Sequence, residues 1–151
     1  MASMHFSSKG EYGLRALVDL ATHVGNSPVR AAEVAERQGI PLNYLEQLLG
    51  MLKRAGIVTS LRGPRGGFAL ARDAVQITVQ EVLVCMEGEM LPQECVAHDC
   101  PEGADRASIC AVRRVWGRVA EAVRASLGGL TLKDLADEQR DLEATANAYY
   151  I

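Results

Sequence analysis

Apolar residues in the first half of the chain recur at helical spacing and then switch to the alternation of a hairpin. From Gly10 to Thr22, the residues Tyr12, Leu14, Leu17, Val18, Leu20 and Ala21 fall three and four positions apart, which predicts a helix with one buried face. Gly25-Asn26-Ser27-Pro28 interrupts it. A helix of barely two turns follows from Ala31 to Gln38, with Val34 and Ala35 inward and Glu33, Glu36 and Arg37 outward. Gly39 suits the position after a helix, Ile40 plugs the corner, and Pro41 opens the next segment where its missing N–H costs nothing. A third helix, Leu42 to Ala55, carries Leu45, Leu48, Leu49 and Leu52 on one face and stops at Gly56. Two helices joined by a tight glycine turn, the second polar at its outer N-terminal positions, form a helix-turn-helix; a plain helical hairpin gives the same pattern.

The residues that follow favour the first reading. Ile57 to Leu61 reads as a strand, Arg62-Gly63-Pro64-Arg65-Gly66-Gly67 as a turn, and Phe68 to Ala71 as a returning strand. Behind a helix-turn-helix such a hairpin is a wing, whose glycines let the backbone approach phosphates while Arg62 and Arg65 reach a groove. The expected fold is therefore mainly α, with a winged helix-turn-helix DNA-binding domain over residues 4–76. Thr78 to Met86 is again helical, with Val79, Val82, Leu83 and Met86 on one side and Cys85 as a small buried hydrophobe. Gly88 to Ala107 has no apolar period and holds cysteines, which makes residues 77–107 a linking helix and a sensor loop.

A long helix then runs from Ser108 to Leu127, with Ile109, Val112, Val115, Trp116, Val119, Val123 and Leu127 in one stripe. At about 1.5 Å per residue it is roughly 30 Å long, more than a small domain can cover. Part of the stripe is expected to pack on the same helix of a second chain about a two-fold axis, a homodimer held by its C-terminal dimerisation helix. Gly128-Gly129 ends it, and Thr131 with Asp134 three residues on resembles a capping box for a last helix through Leu132, Leu135 and Leu142. This unit is placed at residues 108–145, with fraying from Glu143 onward.

Composition adds direction to this outline. The 151 residues are 48% hydrophobic and 23% charged, as in an ordinary globular domain. No apolar run nears the roughly 18 residues of a membrane helix, and the start lacks a basic segment backed by an apolar one, so no membrane partner and a cytoplasmic location are expected. The net charge of −3 conceals an asymmetry, because residues 1–76 carry net +3 and residues 77–151 net −6. The positive half is the one that would face a polyanion. No Ser/His/Asp or Cys/His catalytic spacing is present, and Gly66-Gly67 lies in a hairpin rather than between strand and helix, so no enzyme is expected. Cys85, Cys95, Cys100 and Cys110, without an export signal, read as metal-binding or redox-active rather than as a disulfide framework.

Residues 5–142 resemble the Rrf-two type of winged-helix transcription regulators, the IscR- and NsrR-like family. The resemblance rests on Ser8-Lys9-Gly10-x-Tyr12, Ile40-x-x-x-Tyr44-Leu45-Glu46-Gln47-Leu48, Val58-x-Ser60-x-Arg62-Gly63-Pro64-x-Gly66-Gly67-Phe68, and three cysteines by the long helix. It implies double-stranded DNA as partner, with Asn43, Tyr44, Glu46 and Gln47 in the major groove. Arg62, Gly63 and Arg65 would enter the adjacent minor groove, and Ser7 and Lys9 would lie near the backbone. The chemistry agrees: Asn and Gln pair with adenine, Glu accepts from cytosine, and Arg enters a narrow minor groove. The operator would be pseudo-palindromic, read by a regulator such as a repressor.

The same resemblance implies an iron–sulfur cluster, two-iron (2Fe-2S) or four-iron (4Fe-4S), on Cys95, Cys100 and Cys110, sensing redox, iron or nitric-oxide status. The family's fourth ligand is a histidine one turn past the last cysteine or a carboxylate from the partner's first helix. Here Arg113 occupies the first position and cannot ligate iron, whereas Glu11 matches the second. The gaps between the cysteines are less even than the family's, so a thiol switch, or a zinc site on Cys95, His98, Cys100 and Cys110, stays open.

Overall fold

In the computed structural model, residues 6–23, 27–89 and 110–150 are described. The helix α1 (Ser8–Thr22) starts at Ser7, whose hydroxyl accepts from the Lys9 N–H as an N-cap. It is the strut on which α2 (Ala31–Gln38), α3 (Leu42–Arg54) and two of the later helices pack. Between α2 and α3 the chain turns at Gly39, which adopts the left-handed conformation (φ 63°) that a side chain would penalise. Ile40 fills the corner, and Leu45, Leu48, Leu49 and Leu52 of α3 are buried against Ala16, Leu17 and Leu20 of α1 in one cluster. The helix-turn-helix outline and its core face are those expected from the spacing.

The strands β1 (Val58–Leu61) and β2 (Gly67–Leu70) pair antiparallel, with Val58 opposite Leu70 and Leu61 opposite Gly67. A two-stranded ribbon is marginal on its own. Here Val29 adds a third, one-residue strand: its N–H donates to Phe68 O at 2.8 Å, and Phe68 N–H returns to Val29 O at 2.7 Å. A side chain on Gly67 would sit 2.4 Å from Val29 O, so this close approach requires glycine. A single bridging residue has no periodicity, and the sequence signals only punctuation before α2.

After a 3-10 turn at Ala74–Gln76, α4 (Val79–Glu87) is capped by the Thr78 hydroxyl. Residues 90–109, which include Cys95, His98 and Cys100, lie outside the described residues. The long helix α5 is described from Ala111 to Gly128 with Cys110 at its N-cap; the expected first residues Ser108 and Ile109 lie outside. Of its 18 residues only Ala120 is buried, and Val112 and Val115 are 60% and 55% exposed. Among the described residues the apolar stripe is thus only partly covered, with Trp116, Val119, Val123 and Leu127 half-buried.

The last helix, α6 (Leu132–Tyr149), opens with the expected capping box, since the Thr131 hydroxyl accepts from Asp134 N–H while Asp134 accepts from Thr131 N–H. It packs along α1, and a bridge between Thr78 and Thr131 holds the starts of α4 and α6 together. Contrary to the expected fraying, the helix continues six residues past Glu143 to Tyr149. The tail residues are exposed, and the intrahelical pair Gln139–Glu143 at 2.8 Å and the Thr145 hydroxyl on Asp141 O prolong it.

Candidate nucleic-acid interface

The first two turns of α3 carry the four residues expected in the major groove, Asn43, Tyr44, Glu46 and Gln47. Its 3.6-residue period sends Leu45 and Leu48 into the core and leaves Asn43, Glu46 and Gln47 exposed on the opposite side. Tyr44 is half-buried: its ring meets Tyr12 edge-on at 5.9 Å, and its hydroxyl lies 3.3 Å from the Ser8 hydroxyl. Tyr44 therefore ties α3 to the start of α1, and its ring edge is shared between core and surface.

The wing tip is a turn closed by Gly66 N–H donating to Gly63 O at 2.9 Å, with Pro64 following Gly63 as the fixed φ of such a turn favours. A side chain at Gly66 would lie 2.3 Å from Leu61 O, so compactness here also demands glycine. Arg62 and Arg65 are exposed on either side of Pro64. Among the described residues neither makes an ion pair, whereas Arg15, Arg37, Arg72, Arg124 and Arg140 all face a carboxylate.

At the start of α1, Lys9 is exposed but Ser7 is turned inward. Its hydroxyl donates to both oxygens of Glu87 at 2.8 and 2.9 Å, and the N–H groups of Ser7 and Gly10 donate to the same carboxylate at 2.8 and 2.9 Å. Partial burial alone would raise the Glu87 pKa, but the Ser7 hydroxyl and the two backbone N–H groups outweigh it and hold the carboxyl below its ordinary range. Glu87, the last residue of α4, thus acts as an anionic cap on α1. Sequence reasoning missed it because the partners lie 77 and 80 residues apart. It also missed two basic side chains beside the wing: Lys53 donates to the Ser60 hydroxyl at 2.6 Å, and Arg30 donates to Pro64 O at 2.7 Å.

The thiolate group is only partly described. Cys110 is a free, half-buried thiol at the N-cap of α5, the positive end of the helix, where a negative ligand is stabilised. Glu11 lies exposed in the first turn of α1, with Arg15 at 3.7 Å. Both are donors of the class an iron site takes, although among the described residues no three or more such side chains converge. Cys85, expected to be buried, is half-buried at the edge of the core: partial burial, then the nearby Glu81, raises its pKa, and its Sγ lies 3.9 Å from Met51 O. Among the described residues no helix is long and apolar enough to cross a membrane.

Comparison with known proteins agrees with this architecture. The family described as Rrf2, iron-dependent transcriptional regulator, matches residues 6–138. The HTH-type transcriptional regulator IscR of Xenorhabdus nematophila is 38% identical over 140 residues, 93% of this chain and 84% of that protein. Among solved structures, CymR, the global cysteine regulator of B. subtilis, superposes with a TM-score of 0.72 at 34% identity, covering 89% of this chain and 97% of that one. The T. potens IscR does so at 0.71 and 35% identity, covering 89% of this chain and 88% of that one.

Proposed function

Because the chain belongs to the Rrf2 family of transcriptional regulators, a family of DNA-binding proteins rather than enzymes, we propose that it is a homodimeric, sequence-specific regulator whose DNA affinity follows redox, iron or nitric-oxide status. The carrying observation is the pairing of an exposed polar N-terminus on α3 with a wing whose arginines have no carboxylate partner among the described residues. Asn43, Glu46 and Gln47 read base edges in the major groove, with Tyr44 positioning them through Ser8 and Tyr12. Arg62 and Arg65 enter the minor groove, Gly63 lets the wing backbone come close, and Lys9 lies by the phosphates, while Ser7, whose N–H and hydroxyl donate to Glu87, fixes the start of α1 beside it.

Dimerisation is supported by α5, whose stripe has Val112 and Val115 exposed and Trp116, Val119 and Val123 only half-buried among the described residues. Packing α5 on the α5 of a second copy buries that stripe and sets two α3 helices on one face. Cys95, Cys100 and Cys110 would hold an iron–sulfur cluster as thiolates, with Glu11 of the partner subunit as fourth ligand. Bound there, the cluster supplies a group sensitive to oxidant, iron supply and nitric oxide. On the protein's side, Cys110 starts α5 and Glu11 lies in α1, so their ligation ties the dimer helix to the helix that supports Tyr44.

A second reading shares the DNA interface and differs in the sensor. The fold is matched equally well by a regulator named for cysteine and by an IscR, so fold likeness does not select the sensing group. Two of the three cysteines oxidising to a disulfide would make a thiol switch, and zinc on Cys95, His98, Cys100 and Cys110 a structural site.

Hydroxyl-radical footprinting of genomic fragments retained at low salt tests the DNA-binding proposal. The expected pattern is two protected half-sites about one helical turn apart, roughly 34–36 Å. Protection of a single half-site contradicts the dimeric arrangement, and retention of no fragment contradicts the DNA-binding reading.

A further inference from the structure

Arg30 stands where local physics disfavours it. It occupies the N-cap of α2, a position that prefers Ser, Thr, Asp or Asn, and its side chain makes no capping hydrogen bond. A cation at the N-terminus of a helix is also repelled by the aligned peptide dipoles. A residue that breaks a local rule is expected to recover the loss elsewhere.

The structure shows part of the recovery. The Arg30 side chain reaches across to the wing, where Nη2 donates to Pro64 O at 2.7 Å. The neighbouring Val29 is the residue that adds the one-residue strand to β2 at Phe68, so residues 29 and 30 together hold the returning strand and the tip of the wing. This contact uses one of the five N–H donors of the guanidinium. Arg30 is exposed, and among the described residues it has no ion-pair partner, like Arg62 and Arg65 on either side of Pro64. Three arginines without a carboxylate partner among the described residues therefore stand on or against one turn of backbone, next to a helix whose dipole favours an anion. The helix dipole opposes a cation at residue 30 in the free protein, and an anion placed beside Arg30 reverses that penalty.

On the premise that duplex DNA is the ligand of α3 and the wing, we infer that Arg30 is a further DNA contact, binding a backbone phosphate beside the groove that the wing enters. Its hydrogen bond to Pro64 O aims the guanidinium and braces the wing, and its remaining donors take the phosphate. Contacts of this type position the protein without reading sequence, so Arg30 contributes affinity and wing placement rather than base preference.

The test is the salt dependence of affinity for a footprinted fragment, by fluorescence anisotropy between about 50 and 200 mM KCl, for wild type, Arg30→Ala, Arg30→Gln and Arg30→Lys. Removing one phosphate contact per protomer reduces the slope of log K against log salt by about one per protomer bound. Arg30→Ala and Arg30→Gln are expected to show this reduction together with a loss of about tenfold at the low-salt end, while Arg30→Lys keeps the wild-type slope. Arg30→Gln retains an N–H donor, so a loss confined to Arg30→Ala, with both slopes at the wild-type value, makes Arg30 a brace only and overturns the phosphate contact. Wild-type protein that binds no fragment removes the premise, an outcome distinct from bound wild type with unaltered variants. Urea midpoints are measured alongside and are expected to stay at the wild-type value, because the side chain is exposed.

Discussion

Replacing Arg62 with alanine lowers operator affinity by about 10- to 100-fold, the equivalent of about 1–3 kcal/mol, and leaves the urea midpoint where it was. Arg62 follows directly on β1, is exposed, and has no hydrogen-bond or ion-pair partner among the described residues, so folding loses nothing when it is truncated. The DNA complex loses a guanidinium placed in a narrow, strongly negative minor groove. Arg62→Lys keeps the charge but not the planar fork and falls between the two. Salt-matched titrations on one fragment read the effect directly, and equal affinities for wild type and Arg62→Ala remove the wing from the interface.

Asp19→Ala acts on stability instead, with an expected loss of about 2–4 kcal/mol. The Asp19 side chain is 1% exposed. It accepts from Arg37 Nε at 3.0 Å, Arg37 Nη2 at 2.7 Å and Gln38 Nε2 at 2.9 Å, and so joins α1 to the end of α2. Burial alone would raise its pKa, but the hydrogen bonds from Arg37 and Gln38 and the Arg37 charge prevail and hold it below the ordinary carboxylate value. The unfolded chain then binds the proton more readily than the folded one. The contribution of Asp19 is complete above its unfolded pKa of about 3.9 and is lost as pH falls through the lower folded value. Glu87 has the same sign and adds to the acid limb. Urea midpoints measured from neutral pH downward therefore fall steeply for wild type in that range and less steeply for Asp19→Asn. Parallel curves contradict the assignment of acid sensitivity to this carboxylate.

What the sequence discloses of this fold is set by the range of the interactions. The helix-turn-helix is legible because Leu45, Leu48, Leu49 and Leu52 repeat at helical spacing and Gly39 marks a turn only glycine takes easily, both local signals. The capping box of α6 is legible for the same reason, since Thr131 and Asp134 are three residues apart. The Val29–Phe68 bridge and the Glu87 cap on α1 are not, because single contacts between distant residues leave no period. Asp19 lay between: an acid flanked by Val18 and Leu20 on an apolar stripe is a visible anomaly, but nothing nearby in sequence names Arg37 as its partner. Likewise Arg30 is visible as a basic residue at a helix start, and only its hydrogen bond to Pro64 O assigns it to the wing. The cysteine spacing is read directly, yet of the three expected ligands only Cys110 is among the described residues.

The proposed sensor is either a bound iron–sulfur group or the thiols alone. Native mass spectrometry of anaerobically purified protein, with iron and acid-labile sulfide assayed on the same sample and Cys110→Ala beside it, reads both assembly and content. The expected result is a dimer carrying iron and sulfide in the wild type, and a folded dimer without either in Cys110→Ala, whose thiol at the N-cap of α5 makes no capping hydrogen bond that folding would miss. A wild-type dimer that carries only zinc, or only free thiols, contradicts the iron–sulfur sensor.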